Sequence, residues 1–131
     1  MPQVNLNREQ YEVNDGLDSI VVVNCLGDIP GGRTLDVSGL GSDVKVVKAG
    51  HILIEDAKGK VLPLGVNTAG NAYVTLPANH NYLGVLKASV SVKDARAAIL
   101  TMGQVNAAAS PYPVTDAIIK GLPQIQFLYR K

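Results

Sequence analysis

The side chains able to do chemistry are few and scattered. Two histidines, His51 and His80, fall in separate turn-like stretches, and neither has a second His, a Cys or a carboxylate at the spacing a zinc site needs. His51 follows Gly50 at the head of an apolar run, the place of a surface or hydrogen-bonded histidine; His80, in Ala78-Asn-His-Asn-Tyr, reads as a loop-tip residue. The single cysteine, Cys25, has no partner for an intramolecular disulfide and, set in an apolar run, reads as a small buried hydrophobe. A nucleophilic serine would need a base and an orienting acid, and no Gly-x-Ser-x-Gly elbow occurs. The adjacent carboxylates Glu55 and Asp56 point to opposite sides of an extended chain and are followed by Lys58 and Lys60, which predicts a solvated hairpin tip and not an acid–base pair. Gly39-Leu-Gly41-Ser-Asp-Val lacks the third glycine of a phosphate loop, and no Gly-Lys-Ser or Gly-Lys-Thr is present. Arg96, Arg130 and Lys131 are too sparse, and too poor in interleaved aromatics, to form a nucleic-acid face. These patterns predict no catalytic residue, no cofactor-binding residue and no metal ligand, hence a protein that is not an enzyme and takes no cofactor.

Composition points the same way. A chain of 131 residues fits one domain and can bury a core without disulfide staples. Hydrophobic residues at 47%, charged residues at 18% and a net charge of +1 exclude a disordered polyelectrolyte and a nucleic-acid binder driven by bulk charge. With no Trp and one Phe the core must be aliphatic. No apolar run exceeds about four residues, against roughly 20 for a membrane-crossing helix, and the N-terminus lacks a basic-then-apolar signal pattern. The expectation is a soluble, unexported chain with no membrane partner.

The elements that would position these residues are short strands. Residues 1–16 are polar and rich in asparagine, with Val4 and Leu6 alternating with Asn5 and Asn7, and with Tyr11 and Val13 beyond. This pattern predicts an extended arm suited to joining the sheet edge of another protein, because backbone hydrogen bonds supply affinity and alternate side chains supply selectivity. Residues 17–131 form the β-rich domain. Residues 18–26 are β-branched and predict a buried strand, broken by Pro30 and Gly31-Gly32. Residues 34–40 predict a weak strand. Residues 44–55 split at Ala49-Gly50 into two strands, and Asp56-Ala-Lys-Gly-Lys turns the second into residues 61–64. Residues 67–72 form a turn, residues 73–76 a strand ended by Pro77, and residues 82–86 and 88–92 further strands. Residues 97–129 are a closing unit: an apolar strand ending on Gly103, a small-residue and proline connection, one short helix capped by Thr115 or Asp116 and stopped by a left-handed Gly121, and a last strand alternating Ile125, Phe127 and Tyr129. Ile118, Ile119 and Leu122 should face the core. Short strands at close spacing predict a mainly β fold, an all-β barrel or sandwich, with one short C-terminal helix.

Taken in order, five stretches resemble the small capsid-decoration or head-fibre proteins of tailed bacteriophages: Val47-Lys-Ala-Gly-His-Ile-Leu, Gly59-Lys-Val-Leu-Pro-Leu, Tyr82-Leu-Gly-Val-Leu-Lys-Ala, Ala97-Ala-Ile-Leu-Thr-Met-Gly-Gln-Val-Asn and Ile118-Ile-Lys-Gly-Leu-Pro-Gln-Ile-Gln-Phe. Their order carries the resemblance, over residues 44–129; residues 17–41 lie outside it. The resemblance implies a β-tulip or barrel-like domain, trimeric, seated on the outside of a virion head and clamping neighbouring capsomers. It also implies an N-terminal arm that orders on the major capsid protein, which would make Val4, Asn5, Leu6, Tyr11 and Val13 the partner-binding residues. The protein would be made in the host cytoplasm and end on the capsid exterior, stabilising the head or acting as a fibre for surface adhesion. A different class remains open: a non-catalytic β-barrel accessory or carrier-like domain of a larger enzyme assembly, since residues 47–53 and Gly59-Lys60 are similar to lipoyl and biotinyl domains, although Lys58 and Lys60 lack the usual context of a modified lysine.

Overall fold

The computed structural model describes residues 18–29, 33–40 and 44–129. The arm, with Val4, Asn5, Leu6, Tyr11 and Val13, lies outside the described residues. The chain is mainly β. Its elements are a single helical turn α1 (Asp18–Val21), then β1 (Val22–Asp28), β2 (Arg33–Thr34), β3 (Val46–Val47), β4 (Ile52–Asp56), β5 (Val61–Pro63), β6 (His80–Leu86), β7 (Val90–Ser91), β8 (Arg96–Ala97), β9 (Ile99–Asn106), a 3-10 turn (Ala107–Ala109), α2 (Asp116–Gly121) and β10 (Ile125–Leu128). One sheet runs β1-β9-β6-β4-β5, with β10 added to β9; β2 pairs with β8 and β3 with β7 in two small ribbons. This corrects the expectation of a closed barrel. The sheet stays open: β1 and β5 are its ends and do not pair with each other.

The central strands are apolar without alternation because both faces are covered. Ile52 and Ile54 of β4, Val85 of β6 and Leu100 and Val105 of β9 point into one core with Ile118, Leu122 and Ile125. Leu53, Leu86 and Ile99 point the opposite way, into a second core with Leu35, Val47, Val61 and Ala97. Each fully buried Leu, Ile or Val contributes about 1.5–3 kcal/mol relative to exposure, so the fold rests on many similar increments. The β4–β5 hairpin forms as its sequence predicts: the Asp56 carboxylate accepts the backbone N–H groups of Lys58 and Lys60 at 2.9 Å each, and Gly59 takes φ +84°.

The closing unit is built largely as read, with three corrections. The Thr115 side chain accepts the N–H of Ile118 at the head of α2, Ile118 and Leu122 are buried, and Ile119 packs against the same core. Gly121, however, is the last helical residue and is not left-handed; it is small because the Tyr82 ring packs on it, where a Cβ would collide. The apolar strand does not end at Gly103 but runs through it to Asn106. There β9 lies against β1 so closely that a Cβ on Gly103 would strike the Asn24 carbonyl oxygen, and its φ of +153° also favours glycine. Tyr129 does not continue the inward alternation: it is 70% exposed with φ +59°, past the end of β10.

Residues 18–26 depart most from expectation. They form a helical turn followed by an exposed strand, and Cys25 is exposed instead of buried. The residue types fit a strand interior, but β1 is the terminal strand of the sheet and only its first residue, Val22, packs against a core, so Val21 alone among these residues is fully sealed. The strand expected at residues 73–76 reduces to one bridge between Val66 and Tyr73; Tyr73 is drawn into the core and Pro77 stops the extended run.

Candidate functional site

The histidines do not meet. β4 and β6 pair Ile52 with Val85 at one end and Asp56 with His80 at the other, so His51 and His80 stand about five residues apart along the ladder, roughly 16 Å at strand rise. His80 Nδ1 lies 2.9 Å from the Ala78 carbonyl at the tip of the loop that leads into β6. His51 is buried, and its Nε2 lies 2.8 Å from the Leu64 carbonyl. A carbonyl only accepts, so Nε2 carries the proton. Burial holds the imidazole below its ordinary pKa, opposed in part by that carbonyl. Its ring meets Tyr73 edge-on at 5.2 Å and Tyr112 at 5.8 Å, and the two tyrosines meet each other at 5.2 Å. The Tyr73 hydroxyl accepts the N–H of Ile52 at 3.2 Å, and burial pushes its pKa up. This trio fastens the Pro111-Tyr112-Pro113 connection onto β4. It borders a cleft of about 390 Å³ that Leu40, Val46, Leu64 and Val66 make largely apolar; no serine, cysteine or carboxylate is among its described lining residues. Glu55 and Asp56 are at the hairpin tip, as their spacing predicts.

The other distinctive surface is the flank built on β9. Its eight residues are paired on one side by β1 and on the other by β6 at Ile99 and Leu100 and then by β10 from Gly103 to Asn106. Beyond Leu100, therefore, β1, β9 and β10 make a three-stranded end of the sheet with an outer edge on each side. No described residue pairs with the outer edge of β1 or of β10. Large apolar side chains collect here: Ile20 is 47% exposed, Val23 51%, Leu26 66% and Met102 39%, with Tyr129 at the end of β10. Asn24, Gln104 and Gln126 occupy one row across the three strands, and Gln104 Nε2 donates to Gln126 Oε1 at 2.9 Å. At the far end of β1, Asp28 pairs with Lys87 at 3.0 Å, and that carboxylate raises the lysine's pKa. The β-branched composition of residues 20–23 signals a strand but not its exposure, so sequence reasoning missed this flank; the asparagine and cysteine that interrupt the apolar run were the available signal.

Among the described residues no group of three metal-binding side chains converges, and no helix is long and apolar enough to cross a membrane. No protein-family model, curated protein or solved structure matches the chain. The class that fold and flank define is a mainly β domain with an exposed apolar sheet edge.

Proposed function

We propose that this protein is a structural component of a tailed-phage virion, a homotrimer that attaches to the outside of the head and either stabilises it or serves as a head fibre. The observation that supports this reading is the exposed apolar edge at β1, beside a domain whose central strands are sealed on both faces. An edge of that kind on a small domain is a surface for assembly, because unpaired strands and exposed apolar side chains are otherwise an aggregation liability. The ordered resemblance of residues 44–129 to decoration proteins supplies the kind of assembly. Many weak attachments on a repeating lattice suffice once three copies are joined, since the second and third contacts are then effectively intramolecular. The arm, through Val4, Asn5, Leu6, Tyr11 and Val13, would engage the major capsid protein.

Purified protein should have a trimeric native mass and bind empty expanded phage heads at micromolar concentration. A monomeric mass together with no binding would overturn the proposal. Deleting residues 1–13 should abolish head binding while leaving the fold and the trimer intact. The carrier-domain alternative has one observation in its favour, the exposed Lys58 in the β4–β5 turn; a lysine adduct in the intact mass of protein from its native source would support it.

A further inference from the structure

From the edges of the β1-β9-β10 unit we infer that copies of this chain join by strand pairing, the outer edge of β10 in one copy running against the outer edge of β1 in the next. The inference rests on the self-association proposed above and names its contact. β1 is antiparallel to β9, whereas β10 is parallel to it. The two outer edges of the unit therefore run in opposite directions. A rotation about an axis along the strands preserves strand direction, so it brings β10 of one copy against β1 of the next as an antiparallel pair. The contact is heterologous, uses up both edges, and closes into a ring when the rotation closes.

The side chains agree on a register. Asn24, Gln104 and Gln126 share one row, which ends in an exposed amide at each edge; each amide both donates and accepts, so placing Gln126 of one copy opposite Asn24 of the next continues the row. That register sets Phe127 opposite Val23 and Leu128 opposite Val22, giving apolar cross-strand pairs where Val23 stands 51% exposed. Charge does not oppose it. β10 carries no charged residue, and the one charge on β1, Asp28, is paired with Lys87. The three irregularities in the β1–β9 register bend β1, and strand bulges of this sort supply the curvature a closing sheet requires.

Cysteine cross-linking tests the contact. Within one copy Asn24 and Gln126 are separated by β9, two strand spacings or about 9.5 Å, whereas a disulfide needs Cα atoms closer than about 7 Å. The triple variant Cys25→Ser, Asn24→Cys, Gln126→Cys should, on mild oxidation, form covalent dimers and trimers that a reductant returns to monomer, and neither single-cysteine control should reach trimer. Val23→Lys with Leu26→Lys should reduce the native mass to that of a monomer with an unchanged far-UV spectrum. A trimeric protein whose cysteine pair forms no such species overturns the edge pairing and leaves the assembly reading standing. A wild-type monomer overturns the edge pairing and the trimer it rests on. A lysine variant that stays trimeric but no longer binds heads would assign the edge to the capsid protein and also overturn the pairing.

Discussion

The middle of the sheet and its β1 end treat their side chains in opposite ways. Where β4 and β6 cross the middle, a polar side chain, His51, is sealed inside and satisfied by a carbonyl and two aromatic rings. At the β1 flank, Val23 and Leu26 stand in the open. The difference lies in the number of layers. Central strands are covered on both faces, so even a histidine is buried if its N–H finds an acceptor; β1 beyond Val22 has no core packed over it, so even a valine remains exposed. Burial alone therefore does not locate function here. The buried histidine serves packing, and the exposed valine belongs to the surface proposed for assembly.

The largest break in this contrast should come from the first core. Leu100→Ala, at the crossing of β1, β6 and β9, should cost about 2–5 kcal/mol in chemical denaturation, because removing a fully buried side chain leaves a cavity its neighbours close only in part. His51→Phe should cost about 1–3 kcal/mol by leaving the Leu64 carbonyl without its donor.

The same histidine gives the wild-type protein a pH dependence. Its folded pKa lies below the ordinary 6.5, so above pH 6.5 both states are neutral at this site and stability is flat. Below pH 6.5 the unfolded chain takes up the proton first, and stability falls as pH drops toward the folded pKa. Urea midpoints at pH 7.5 and 5.5 should differ in that sense, and His51→Phe should remove this site's share of the difference. A smaller effect, about 1 kcal/mol in thermal or chemical unfolding, is expected for Thr115→Ala, which removes the cap of α2.

At the flank the monomer should hardly respond. Val23→Lys and Leu26→Lys should each change unfolding free energy by less than about 0.5 kcal/mol at concentrations where the protein is monomeric, because both side chains are already in water. A cost of several kcal/mol there would show that the flank is part of the core and erase the contrast.

Much of the fold was legible because local chemistry dictated it. Gly59 and the Asp56 carboxylate specify the hairpin, Thr115 specifies the start of α2, and unbroken apolar runs at residues 52–54 and 99–100 specify strands buried on both faces. Position in the sheet was not legible. Residues 18–26 have the composition of an interior strand and became a helical turn followed by the last strand of the sheet. Cys25 was exposed by the same placement. Gly121 had the spacing of a helix stop, yet its role is to admit the Tyr82 ring from β6, a neighbour thirty-nine residues away in sequence.

The sequence by itself determined the β4–β5 hairpin, the start of α2, the aliphatic core and the absence of any recognised catalytic motif, since turn chemistry, capping and hydrophobic period act over a few residues. Only the tertiary structure decided which strands lie at the ends, which histidine is buried and that the sheet stays open. Those outcomes depend on which segments run out of neighbours, and pairing between strands far apart in the chain settles that.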